Sequence, residues 1–185
     1  MPRHDYRWLI VTLANLTLWW LVCLANHYLA QVDLPLFGLS TFYLYLGGLL
    51  VAYPALRLDP KHGLTATILT ALLMDSIEPV PFGTSLFLFT LVHVVVLYGR
   101  HRFPREGAIF ALVVALLANL FLVIGMSFLL IGANPRPGNA WLRVFVDLLC
   151  SQAVIVLIAP WFIALQDRAM ELAEIHPETG RAIHR

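Results

Sequence analysis

Residues 107–132 read GAIFALVVALLANLFLVIGMSFLLIG, an apolar run with no charged residue. A helix needs about 20 such residues to cross the hydrocarbon core of a bilayer. Backbone groups must satisfy one another there, so a Leu- and Ala-rich run of this length predicts a transmembrane helix. Working outward from it, similar runs predict six spans, near 8–27, 35–57, 63–78, 82–99, 107–132 and 141–165. Polar, Pro- and Gly-containing punctuation separates them at Gln31-Val32-Asp33, Asp59-Pro60-Lys61-His62, Glu78-Pro79-Val80-Pro81, Gly99 to Glu106 and Asn134 to Asn139. The third span is short. It either stands nearly upright or is partly re-entrant at the Pro79/Pro81 turn, and losing it leaves five.

The whole chain agrees with this reading. It is 60% hydrophobic and 12% charged, against about a half and a quarter for soluble domains, and its mean hydropathy is +0.80. Lys and Arg favour cytoplasmic loops. Counting alternate loops, one side holds Arg3, Arg7, Arg57, Lys61, Arg100, Arg102, Arg105, Arg168, Arg181 and Arg185, and the other holds Arg136 and Arg143, ten against two. The prediction is an all-α polytopic integral membrane protein, a six-transmembrane-helix bundle with both termini cytoplasmic. A transmembrane domain covers 1–165, and 166–185 form a polar cytoplasmic tail that is either solvated or a docking helix. The run Trp8–Ala25 is longer than a signal-peptide core and no small-residue cleavage site follows it, so an uncleaved first helix is expected.

Ionisable groups inside spans are costly and are the first candidates for function. Asp75 and Glu78 stand three residues apart on one face of the third span. They read either as a brace for the turn that follows or as a carboxylate pair. Arg143 and Asp147 are four apart on the last span and can pair. With Asp75 they lie in the outer half, where the three can share a polar patch. His93 lies deeper in the fourth span, with no acid at its depth to complete a relay. Cys23 and Cys150 sit in separate apolar runs with no metal-ligand spacing around them and read as buried thiols.

Gly107, Ala111, Ala115 and Asn119 repeat at steps of four on the fifth span. Gly63, Ala66, Thr67, Thr70 and Ala71 make a similar small face on the third. Small stripes let helices approach closely, within one bundle or with a second subunit, and Asn119 can hydrogen-bond across such a contact. The usual hydrolase, metalloprotease and phosphate-loop motifs are missing, which argues against an enzyme, a cofactor or a metal, and nothing indicates nucleic acid.

The stretch Gly63–Phe103 reads GLTATILTALLMDSIEPVPFGTSLFLFTLVHVVVLYGRHRF. It resembles the bacterial rod-shape-determining MreD family. Members typically show a glycine-led helix ending in Leu-Leu-x-Asp, a turn with Pro-x-Gly, and an apolar helix ending in a basic loop. Leu72, Leu73, Asp75, Pro81, Gly83, Arg100 and Arg102 fit that order. Glu78-Pro79-Val80, where Gly and Ser are usual, and the polar tail depart from it, and outside this stretch the likeness is one of length and topology. The resemblance implies an architectural subunit of the bacterial inner membrane with a fold similar to the S components of energy-coupling-factor vitamin transporters. It implies an MreC-like membrane partner, rod-complex wall synthases and, indirectly, an MreB-like filament, with small helix faces accepting a partner helix. The alternative is an S component itself, with Trp141, Phe82, Asp33 and Asn139 around an outer pocket. Against it, Leu18 follows Ala14 and Leu29 follows Ala25, so the first span lacks the Ala-x-x-x-Ala step by which many S components dock.

Overall fold

The computed structural model describes residues 6–31, 42–78, 80–100, 108–131 and 137–172. These form six helices and no strand: α1 (Arg7–Leu29), α2 (Gly47–Arg57), α3 (Pro60–Ile77), α4 (Thr84–Gly99), α5 (Ala108–Ile131) and α6 (Pro137–Leu172). Three carry windows long and apolar enough to cross a membrane, at Arg7–Leu29, Ile109–Leu130 and Ala140–Leu172. Large apolar side chains face outward, among them Trp161, Ile109, Leu157 and Phe128. So wide an apolar exterior suits lipid and not water.

The second helix is shorter than its apolar run predicts. Residues 42–46 are not helical, and α2 begins only at Gly47; residues 35–41 lie outside the described set. Side chains of α1 and α6 account for the difference. The Tyr43 amide donates to Asp147 Oδ1 at 3.0 Å, the Leu44 amide to Asn26 Oδ1 at 2.8 Å, and the Tyr45 amide to Ser151 Oγ at 2.9 Å. Asn26 Nδ2 returns a bond to the Leu44 carbonyl at 2.9 Å. Side chains of neighbouring helices thus take backbone hydrogen bonds that a helix would otherwise have supplied.

α2 is the hub of the bundle. Residues 47–55 are all buried, and α2 packs on α3, α4 and α5. A helix apolar on every side belongs inside. Its approach to α5 is close: a Cβ on Gly48 would lie 2.2 Å from the Asn119 amide nitrogen and 2.3 Å from the Ala115 carbonyl oxygen. At its far end Arg100 Nη1 donates to the Ala55 and Leu58 carbonyls at 3.1 and 2.9 Å, which occupies helix-terminal acceptors left without an intrahelical donor.

The last helix runs past residue 166, where the polar segment begins. α6 runs 36 residues without a break, to Leu172. Gln166 and Met170 are buried against the bundle, and Asp167 Oδ1 accepts from the Tyr53 hydroxyl at 2.8 Å. The start of the predicted tail is therefore part of the packed body. Residues 173–185 lie outside the described set.

Candidate functional site

The turn between α3 and α4 is built around Asp75. Gly83 is the N-cap of α4 and adopts φ +94°, a left-handed conformation that glycine reaches without steric cost. Glycine has no side chain with which to cap the helix. Asp75, reaching across from α3, takes over that task. Its carboxylate accepts from the amides of Gly83 at 3.0 Å, Ser85 at 2.9 Å and Leu86 at 3.0 Å. These are among the first amides of α4, which have no intrahelical acceptor. Asp75 is only 4% exposed, so this carboxylate is enclosed and fully engaged in structure. Pro81 completes the turn, its carbonyl accepting from the Thr84 amide at 3.1 Å and hydroxyl at 2.7 Å. Glu78 does not join Asp75 as a pair; its Oε1 accepts from Trp19 Nε1 of α1 at 3.2 Å.

The two small stripes are filled from within the chain. Ala111, Ala115 and Asn119 are buried, and Asn119 Oδ1 accepts from the Gly48 amide at 3.1 Å. The occupant of the α5 stripe is therefore α2; Gly107 lies outside the described residues. On α3, a Cβ at Gly63 would lie 2.5 Å from the Pro54 carbonyl oxygen of α2. Thr67 Oγ1 donates to the Gly63 carbonyl at 3.0 Å and lies 2.8 Å from His93 Nδ1. With the hydroxyl proton spent on Gly63, the hydrogen of that second contact belongs to His93, which ties α4 to α3. Thr70 accepts from Asn15 Nδ2 of α1 at 3.4 Å. Filled in this way, neither stripe is open to a partner helix.

Sequence reasoning passed over one polar centre. Asn15 Nδ2 donates to the Leu50 carbonyl at 2.9 Å, and Gln166 Nε2 donates to Asn15 Oδ1 at 3.2 Å. Both side chains are fully buried. The signal was present, since an amide inside an apolar run must find a partner, but ionisable and small residues drew the attention.

Asp147 and Arg143 do pair, with Arg143 Nε 3.7 Å from Asp147 Oδ2. Asp75 is not part of that patch, because its oxygens are committed to α4. Asp147 instead meets the 42–46 segment, and beside it a cavity of about 400 Å³ is lined by that segment, Glu78, Val80, α5 and α6. Its polar lining is Tyr43, Tyr45, Glu78, Ser127, Asp147 and Ser151. Of the pocket predicted for the transporter alternative, only the Phe82 and Trp141 side chains are among the described ones. Phe82 and Trp141 do not line the cavity; Phe82 is exposed, and Trp141 packs edge-on against Phe128 with ring centroids 5.3 Å apart. Asp33 and the Asn139 side chain lie outside the described residues. The aromatic-rich run Phe42-Tyr43-Leu44-Tyr45 was the available clue, because aromatic residues are enriched in β-type backbone over helix.

No group of three or more His, Cys, Asp or Glu side chains that could hold a metal ion occurs among the described residues. Cys23 and Cys150 are both free and half-buried. The chain was compared with protein-family models, with curated proteins and with solved structures, and none of them matches it.

Proposed function

We propose that this chain is a membrane scaffold subunit of the bacterial wall-elongation complex, an MreD-like protein of the inner membrane that joins an MreC-like partner to the wall synthases and, through them, to an MreB-like filament. One observation carries the reading furthest. Within the stretch that resembles the MreD family, Gly63–Phe103, the motif residues Asp75 and Gly83 form a helix cap between α3 and α4, with Asp75 spent on three backbone amides. An architectural motif is what a scaffold needs. Six crossings with both termini in the cytoplasm fit the ten-to-two distribution of Lys and Arg. The eleven residues of α2 cover about 16 Å at helical rise, and the non-helical residues 42–46 before it lengthen that span toward a hydrocarbon core of about 30 Å.

Because α2 fills the α5 stripe, the partner must dock on the lipid-facing exterior. The test is purification of the tagged protein from its own membranes in gentle detergent, with identification of what accompanies it. Co-purification of an MreC-like bitopic protein with wall synthases is expected. An ATPase-bearing energising module in their place would overturn the scaffold and install the S-component reading.

A further inference from the structure

The cavity beside Asp147 has a definite chemical character. Among the described residues that line it, none is Lys, Arg or His. Two of them are carboxylates. Asp147 Oδ1 takes the Tyr43 amide, while Oδ2 lies 3.7 Å from Arg143 Nε, beyond hydrogen-bond length. Glu78 Oε1 takes Trp19, and its second oxygen has no partner among the described residues. Both serine hydroxyls have spent their protons, Ser127 on the Val123 carbonyl at 2.7 Å and Ser151 on the Asp147 carbonyl at 2.6 Å. The polar wall therefore offers hydrogen-bond acceptors and carboxylate charge. Val80, Val123, Met126, Leu130, Val144 and Leu148 form the apolar remainder. A volume of about 400 Å³ is within the range of small-molecule sites.

We propose that this cavity binds an ammonium group carried on an apolar body, with the cation between Asp147 and Glu78 and the body against α5 and α6. Two sources share that chemistry: a membrane-soluble amine and the ethanolamine headgroup of a phospholipid. The inference rests on the cavity alone and does not require the scaffold reading.

Delipidated full-length protein in detergent would be titrated with phenethylamine, and with 2-phenylethanol as the uncharged control, following thermal unfolding by tryptophan fluorescence. A ligand that binds only the folded state raises Tm in a saturable way. The amine should do so and the alcohol should not. Asp147→Asn keeps an acceptor for the Tyr43 amide but removes the charge, and should weaken amine binding about tenfold or more. Glu78→Gln provides the same comparison if Asp147→Asn fails to fold. Val144→Phe narrows the cavity and should abolish the shift. In parallel, protein taken from nanodiscs rich in phosphatidylethanolamine or in phosphatidylglycerol would be weighed by native mass spectrometry. One phosphatidylethanolamine retained by wild type and lost from Val144→Phe identifies the lipid as the source; an amine shift with no retained lipid identifies the soluble amine. Equal shifts by amine and alcohol, binding that survives Val144→Phe, or neither a shift nor a retained lipid would overturn the proposal.

Discussion

Asp75 and Asp147 both reach from a helix to backbone amides of another segment, and they end in different conditions. Asp75 closes the α3–α4 turn with three amide bonds and is 4% exposed. Asp147 holds one amide of the 42–46 segment, stands beside a half-exposed arginine, and borders a cavity. A buried carboxylate is held by the hydrogen bonds it accepts. When the surrounding backbone supplies all of them, the group is structural. When it supplies one, the remaining capacity faces whatever enters the space beside it.

That contrast can be broken by substitution, and the largest effect belongs to Asp75. Asp75→Ala strips three buried amides of their acceptor and should cost about 3 kcal/mol or more, each unsatisfied group being worth about 1–3 kcal/mol. Thermal or denaturant unfolding in micelles measures it. Asp147→Ala should cost about half as much, since one amide loses its partner and the cavity wall only recedes. Equal losses for the two substitutions would erase the distinction between them. Gly83→Ala sharpens the comparison from the other side: a Cβ at φ +94° should cost about 1–2 kcal/mol in the same assay, even though the added Cβ would meet nothing within 4 Å. The smallest change is Arg143→Ala. Its side chain is 51% exposed, and an ion pair so hydrated contributes at most about 1 kcal/mol. A larger loss would mean that Arg143 helps hold the 42–46 segment in place.

The α5 stripe makes a similar point about packing. Ala111, Ala115 and Asn119 announce a close helix contact by their size and spacing, yet spacing cannot name the neighbour. The neighbour is α2, brought within reach by the absent side chain of Gly48. Ala115→Leu should therefore unfold the bundle and not merely release a partner. Loss of the partner from a bundle whose Tm is unchanged would show that the stripe faces outward after all.

Some of this protein was legible from residue chemistry alone. Apolar runs broken by Pro, Gly and charge locate helices, and six helices occur among the described residues, although α2 begins only at Gly47. The bracing role of Asp75 was one of the two readings open at that point, since a carboxylate just before a Pro-x-Gly turn has helix-terminal amides close at hand. The non-helical backbone at 42–46, the burial of Gln166 and the cavity beside Asp147 were not legible in that way. Each depends on partners more than 15 residues distant in the chain: Asn26 and Ser151 for the 42–46 segment, Asn15 for Gln166, and four separate stretches of chain for the cavity. Local sequence determined where helices can form, because helical hydrogen bonds close within four residues. Which polar groups are spent and which remain to act was decided only when the bundle assembled, because their partners come from other helices.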